Sequence, residues 1–284
     1  MARIRVMSFN VRGSSFAHDG VNAWENRAAL NVATIHRYAP DLIGFQEVHS
    51  ENLATYREHL QGYQWARGPQ VDTNESDHCN AIFWRSGRFR EVGSGGFWLS
   101  ETPDCRSIGW DAALVRGATW VRLAWGAGGP ELLHLNTHLD HVGEEARAEG
   151  CRLILSRVEQ LADPEVPVIL TGDFNCSAPG AGGAVPVGRQ PEPYRVLITG
   201  GFADTYLTAR EKDSGPPNTF HGFKGDAFVA WDPGSTVRID WILLRDHLRR
   251  FQIESCFIVR DHLSPLYPSD HYPLLADLTL QDSS

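Results

Sequence analysis

Asn10, Glu47, His138, Asp140, Asp173, Asn175, Asp240, Asp270 and His271 lie far apart along the chain, yet most of them close a short apolar run. Carboxylates, amides and imidazoles delivered to strand ends have a definite chemistry available to them. Hydrolysis of a phosphoester needs hard carboxylate oxygens for a magnesium-like cation, a group that orients or deprotonates water, and neutral or cationic donors for the charge growing on phosphorus. The set supplies all three. Each residue also has a plainer role to weigh. Glu47 and Asp173 could be solvated charges at strand ends, Asp240 could be the ion-pair partner of Arg238, and Asn10 and Asn175 could be turn formers. Trp24, Trp98 and Trp110 are packing residues or substrate platforms. Arg27 and Arg116 are surface ion-pair members or binders of a second phosphate.

The elements that must position these groups are legible from periodicity. Residues 3–9 (RIRVMSF) predict a strand running into Asn10. Asn22, three residues before Glu25, predicts a cap for an amphipathic helix over 25–38 that Pro40 ends. Asp41 to Phe45 reads as a buried strand delivering Gln46 and Glu47 to a sheet edge, with a second helix from about Ser50. Residues 80–85, 118–125 and 131–137 predict strands, the last two joined as a hairpin by the Gly-rich turn 126–130. A long surface helix is expected over 143–162, feeding a strand at 168–171 that stops at Gly172-Asp173-Phe174-Asn175. The Gly-, Ala- and Pro-rich stretch 177–193 is expected to be a loop and a candidate lid beside Asn175. Late strands are expected at 236–244 and 272–280. This order of strands, hairpins and occasional helices favours two packed sheets flanked by helices.

Ser8-Phe9-Asn10, Gln46-Glu47-Val48, Asn136-Thr137-His138, Gly172-Asp173-Phe174-Asn175, Arg238-Ile239-Asp240 and Ser269-Asp270-His271 occur in the order characteristic of one family. On these segments the chain resembles the endonuclease/exonuclease/phosphatase superfamily. Phe97-Trp98-Leu99-Ser100-Glu101-Thr102-Pro103, Gly109-Trp110-Asp111-Ala112-Ala113 and Tyr267-Pro268-Ser269-Asp270-His271 make it most similar to bacterial members of loosely defined activity. The resemblance implies an α/β fold, a four-layered α/β/β/α sandwich of two mostly antiparallel sheets, as a single domain over 1–284. It implies Mg2+ as cofactor, with Mn2+ a possible substitute, held by Glu47 and Asp270. Asn10 would hold a metal-bound water or a phosphate oxygen. Asp173 would orient or deprotonate water, Asn175 would donate to the phosphate, and His271, held by Asp240, would act on the phosphate or accept a proton. His138 would assist the leaving group or bind a phosphate oxygen. Related sequences often carry a glutamate before the strand at Ala81, where this chain reads Asp77-His78-Cys79-Asn80, and that departure puts His138 in doubt as a general acid. Arg27, Arg116 and Trp110 join Asn10, Asn175 and His138 as candidate substrate contacts. His18, His49 and His141 remain unassigned, although His141 adjoins Asp140 and could extend the pocket.

Bulk properties rank the possible partners. The chain has 284 residues with 42% hydrophobic and 21% charged, ordinary globular values. A formal charge of −9 argues against a broad cationic face for long nucleic acids and favours a phosphorylated small molecule or lipid headgroup. DNA or RNA cleavage is the alternative, and a non-catalytic binding protein on the same fold is a second. The intact set of charges speaks against the latter. Zinc is disfavoured because no His-Glu-x-x-His helix is present and the donors are oxygen-rich. The N-terminus has no basic or long apolar leader, no apolar run reaches membrane-spanning length, and five cysteines lack a Cys-x-x-Cys pair, so a cytoplasmic monomer without disulfides is expected. Substrate choice should sit on the loops 12–24, 100–117 and 176–193.

Overall fold

The computed structural model describes residues 3–69, 78–126, 129–179, 190–230 and 237–281. In chain order the elements are β1 (Arg3–Asn10), α1 (Trp24–Tyr38), β2 (Leu42–Val48), α2 (Ser50–His59), β3 (Tyr63–Arg67), β4 (Cys79–Arg85) and β5 (Phe89–Trp98). They continue with β6 (Gly117–Trp125), β7 (Glu131–His138), α3 (Glu144–Leu161), β8 (Val168–Asp173), α4 (Glu192–Thr199), β9 (Ala203–Asp204) and α5 (Thr205–Thr208). The chain closes with β10 (Glu211–Lys212), β11 (Asp240–Arg245), β12 (Phe251–Ile258) and β13 (Leu274–Leu280). Among the described residues the strands form a seven-stranded sheet, β10-β12-β13-β1-β2-β4-β3, and a six-stranded sheet, β5-β6-β7-β8-β11-β9. β1/β2, β7/β8 and β10/β12 pair parallel and the remaining neighbours antiparallel.

Three apolar clusters separate four layers. Met7, Phe9, Ile43 and Phe45 face Val32 and Ile35 of α1 and Tyr56 of α2. Leu133, Leu135, Leu170, Trp241 and Leu243 face Cys151, Ile154 and Val158 of α3 and Leu197 of α4. Between the sheets lie Ile4, Val6, Leu42, Leu132, Ile169, Ile242 and Leu244. Side chains alternate across a strand, so the inter-sheet face can be followed along each one. On β1 it runs Ile4, Val6, Ser8, Asn10; on β7, Leu132, His134, Asn136, His138; on β8, Ile169, Thr171, Asp173; on β11, reversed, Leu244, Ile242, Asp240. The same face passes from apolar to neutral polar to ionisable, and the site is the far end of the central core.

The middle layer is a closed hydrogen-bond network. Asn136 Nδ2 donates to the carbonyls of Phe45 (2.7 Å) and Ala81 (3.1 Å), crossing from one sheet into the other. Its Oδ1 accepts from Gln46 Nε2 (2.7 Å) and Thr171 Oγ1 (3.1 Å). Thr171 also bonds His134 Nε2 at 2.9 Å. Gly44 sits at a close approach of the two sheets: a Cβ there would lie 2.0 Å from Thr171 Oγ1 and 2.7 Å from Asn136 Oδ1.

Several elements depart from expectation. Asn22 does not cap α1; Ala23 occupies the cap without a side-chain bond, while Asn22 Oδ1 accepts from Tyr267 N (3.0 Å) and ties the preceding turn to the C-terminal segment. Strands β3, β5 and β12 were not foreseen, because their exposed or glycine-interrupted patterns lack a continuous apolar run. Residues 180–189 of the expected lid and residue 236 of the expected late strand lie outside the described residues. All five cysteines are free thiols. Among the described residues no helix is long and apolar enough to cross a membrane.

Gly44→Ala should lower unfolding stability by about 2 kcal/mol, the usual cost of overpacking a filled interior. Urea denaturation followed by tryptophan fluorescence measures it, and a wild-type midpoint in the variant would show that the sheets can separate without cost.

Candidate active site

Adjacent strands align His138 with Asp173 and Asp173 with Asp240, so a row of ionisable groups crosses β7, β8 and β11. Glu47 arrives differently. Strict alternation after Phe45 would send it toward the helical side, but β2 bulges against β4 between Phe45 and Val48, and Glu47 adopts φ 59°, a left-handed conformation rare outside glycine. That distortion turns the carboxylate into the cavity. Asn10 then joins the two sheets at this level: its Nδ2 donates to Glu47 Oε1 and to Asp173 Oδ2, both at 2.9 Å, and its Oδ1 accepts from Arg12 N at 2.9 Å. Asp270 and His271 come from the segment before β13, where Ser269 Oγ donates to Asn10 O at 2.7 Å.

The charges are unevenly matched. Burial and the neighbouring Asp240 push the Asp173 carboxyl up to about 7, against His271 and the hydrogen bonds from Asn10 and Asn175. Burial disfavours the His271 cation, but Asp240 and Asp173 outweigh it and raise the imidazole to about 10. His271 Nδ1 meets Asp240 Oδ2 at 2.9 Å, and Nε2 lies 3.7 Å from Asp173. The alternative partner for Asp240 is otherwise engaged, since Arg238 pairs with buried Asp204 at 2.6 Å. Burial acts to raise Glu47, yet His78, Asn10, His271 and Arg12 bring it below the ordinary carboxylate range. Asp270 is raised by burial and by Glu47, despite His271 and Arg12.

His138 is held well below the usual imidazole range, by burial first and then by Arg116, His78 and His271, and so stays neutral. Its Nε2 lies 2.9 Å from Asn175 Nδ2 and 3.4 Å from Asp173 Oδ2, while Nδ1 is buried without a hydrogen-bond partner. Asn175, at φ 48°, also donates from its backbone to Asp173 Oδ1. His78 lines the same cavity, and Asp77 lies outside the described residues.

The donor set fits a hard divalent cation. Glu47 Oε2 is buried and has no hydrogen-bond partner, an arrangement that costs free energy unless a cation meets it. Ligand atoms of Glu47, His138 and Asp173 lie within 4.8 Å of one another, as do those of Asp173, Asp240 and His271. The second group reads as a hydrogen-bonded relay, because a protonated His271 has no lone pair for a metal. Glu47 and Asp270, two crowded carboxylates on the wall of one cavity, are the pair whose repulsion a cation would relieve.

The cavity has a volume of about 510 Å3 and brings together Glu47, His138, Asp173, Asn175, Asp270 and His271, with Arg116 and His141 at one side. Asp240 stands behind His271, and Asp140 behind Arg116. Three expected contacts are corrected. Arg27 is fully buried and donates to the carbonyls of Asn22, Val11, Arg12, Gly13 and Pro268, organising the loop after β1 instead of meeting substrate. Trp110 does not line the cavity; its backbone N–H bonds the Glu101 carboxylate. Asn10 is fully buried and spends its amide on two carboxylates, so it binds the site together without facing a ligand. The wall also includes Arg12, Ser15 and Phe16, which fall in the 12–24 loop expected to carry specificity, together with His49 and Phe220, to which the sequence reading gave no role. Arg12 carried a signal, two residues after Asn10, whereas Phe220 reaches the site through an isolated bridge to His271 that no local pattern announces.

Comparison with known proteins shows the family and the fold. The profile of the Endonuclease/Exonuclease/phosphatase family matches residues 7–271. An endonuclease/exonuclease/phosphatase from Bacteroides vulgatus is 30% identical and superposes with a TM-score of 0.84 over 99% of this chain and 100% of that one. A mannosyl-6-phosphatase from Bacteroides thetaiotaomicron is 28% identical, with a TM-score of 0.83 over 98% and 100% of the two chains. Human nocturnin is 21% identical over 99% of this chain, which spans 66% of nocturnin's length.

Raised carboxyls must lose protons before they meet a cation. Mg2+ affinity should therefore rise with pH up to about 7, where Asp173 ionises, with protons released on binding. Calorimetry in two buffers of different ionisation enthalpy reads the release, and Glu47→Gln should weaken binding roughly tenfold or more. Affinity independent of pH between 5 and 8 would contradict the charge arrangement.

Proposed function

Because the chain belongs to the endonuclease/exonuclease/phosphatase family, whose members hydrolyse phosphoesters, we propose that it is a magnesium- or manganese-dependent hydrolase of a small or lipid-headgroup phosphoester. The observation that carries the small-substrate reading is the compact cavity of about 510 Å3 in which the ionisable groups converge. The mannosyl-6-phosphatase similarity supports it, as does the acidic chain.

In this reading Glu47 and Asp270 hold the cation, which polarises phosphoryl oxygens and offsets the negative charge of the site. Asp173, poised near 7, takes the proton of the attacking water. His271, kept protonated by Asp240, donates from Nε2 to a phosphate oxygen, and so serves as an electrostatic clamp and not as the base. Asn175 steadies His138 at the cavity wall, its Nδ2 donating to His138 Nε2 and to the Leu139 carbonyl, both at 2.9 Å. A neutral His138 whose Nδ1 hydrogen-bonds no carboxylate among the described residues is a poor proton donor to a leaving group, so the preferred substrates are those whose leaving group departs without strong acid assistance.

Asp173→Asn and His271→Ala should each lower kcat by roughly 10³-fold or more. They are to be assayed with Mg2+ against sugar phosphates, inositol phosphates, glycerophospho headgroups, plasmid and single-stranded RNA. Cleavage of polynucleotides alone would reverse the substrate assignment. Stability has the opposite sign. A carboxyl that titrates near 7 in the fold and near 3.8 when unfolded costs stability increasingly from about pH 4 to pH 7 and fully above. Metal-free Asp173→Asn should therefore melt at or above the wild-type temperature at pH 8. A large fall in Tm would mean that the ionised carboxylate supports the fold.

A further inference from the structure

Three arginines surround the cavity and are used in different ways. Arg27 is spent on backbone carbonyls. Arg12 is spent on Asp19, at 3.1 and 3.2 Å, approaches Asp270 at 3.7 Å, and lies over the Phe16 ring. Arg116 is 6% exposed and lines the cavity, yet its guanidinium has two protein partners: Nε meets Asp140 Oδ2 at 3.3 Å and Nη2 meets His141 Nδ1 at 3.1 Å. Nη1 bonds neither. Asp140 offers little more, because its oxygens already accept from the N–H groups of Ala113, Leu114, Val142 and Gly143 at 2.8–3.2 Å. That carboxylate is a fixed bracket: it joins the 113–114 and 142–143 loops and holds Arg116 by one nitrogen, leaving the outer edge of the fork toward the cavity. Since arginine always donates, His141 Nδ1 is the acceptor and its Nε2 carries the proton. The unspent donors open on the cavity, where an oxyanion would meet a guanidinium whose carbon stem and inner edge are already held by the protein.

We infer that Arg116, braced by Asp140 and flanked by His141, anchors a second anionic group of the substrate, which is therefore a compact molecule carrying a phosphoester together with a further phosphate or carboxylate. The inference rests on the small-phosphoester reading and narrows it. The planar fork suits either oxyanion, bound through two parallel N–H bonds. Asp140 is the positioning residue.

The test compares glucose 6-phosphate, 6-phosphogluconate and glucose 1,6-bisphosphate as probes with Mg2+. Wild-type protein should show the lowest KM for the probes with a second anion, and the contrast between carboxylate and phosphate identifies which it takes. Arg116→Gln should raise KM for the favoured probe roughly 30-fold, the worth of a charge-assisted pair, and raise it several-fold less for glucose 6-phosphate. Arg116→Lys, keeping the charge without the fork, should fall between. Asp140→Asn should reproduce the KM effect in part, with kcat changing less than KM. Equal losses on all three probes, or no wild-type preference, would place Arg116 on the scissile phosphate or in a structural role and overturn the inference alone. Should no probe be hydrolysed, the small-phosphoester reading fails, and calorimetry with Ca2+ still decides the subsite: selective binding of the doubly anionic probes that Arg116→Gln abolishes supports it, and unselective binding refutes it.

Discussion

The distance between the two sheets at the level of Asn136 is the constraint on which the site depends. A purely apolar interface sets a separation only within the tolerance of side-chain packing, whereas Asn136 reaches across to two carbonyls of the facing sheet and accepts from Gln46 and Thr171. Each of those residues lies one or two positions from a working group: Gln46 beside Glu47, Asn136 before His138, Thr171 before Asp173. Because side chains alternate with period two, fixing the neutral layer fixes the ionisable layer above it, and a one-residue slip of β8 would send Asp173 to the helical side. Gly44 is the counterpart of this closeness, being the position where any side chain would hold the sheets apart.

Above the neutral layer the protein holds an arrangement that folding by itself would not choose. Glu47, Asp173, Asp240 and Asp270 are gathered where water is largely excluded, and their titrations are driven apart: Glu47 down, Asp173 up to about 7, Asp270 up. The cations beside them, His271 and Arg12, are fewer than the four carboxylates, and Arg12 is shared with Asp19. In the proposed reading the remaining imbalance favours a bound cation, and the raised Asp173 carboxyl suits that group to proton transfer near neutrality. Stability and chemistry are thus coupled with opposite signs at the raised carboxyls, Asp173 and Asp270.

Much of this was legible in the residues. The strands ending in Asn10, His138 and Asp173 follow from apolar runs with polar ends, the β6–β7 hairpin from its glycine-rich turn, and α1 and α3 from helical spacing. The family was legible from six ordered segments, and the matched profile covers the same stretch. What was not legible is three-dimensional in origin. Alternation places Glu47 on the wrong face, and only the bulge with its left-handed backbone reverses that. Arg27 was expected near phosphate because charge suggests exposure; in the fold, carbonyls that the loop after β1 leaves pointing inward claim it entirely. The Asp240–His271 pair was expected, but the reason Arg238 does not compete for it was not legible: Arg238 is claimed by Asp204, a partner 34 residues away. Strand β5 escaped because its glycines interrupt the apolar run, and β12 because Gln252, Glu254 and Ser255 break up its apolar residues.

The division between shared chemistry and private specificity follows from where each kind of residue is anchored. The ionisable row is carried on β7, β8 and β11, whose register is locked by backbone pairing and by the polar bolt below. The wall that meets the rest of a substrate is carried on connections: Arg12, Ser15 and Phe16 after β1, Leu114 to Arg116 before β6, His141 after β7, and Phe220 before β11. Connections can change without disturbing register, so a fold of this kind keeps one reaction while its wall is rewritten. Yet these connections are not loose. Arg27 gathers the loop after β1 through its carbonyls, and Asp140 gathers two loops through their N–H groups, each a single buried charge saturating a stretch of backbone. A wall braced in this way presents its donors at fixed positions before any ligand arrives, so selection among phosphoesters rests on where their other oxygens lie.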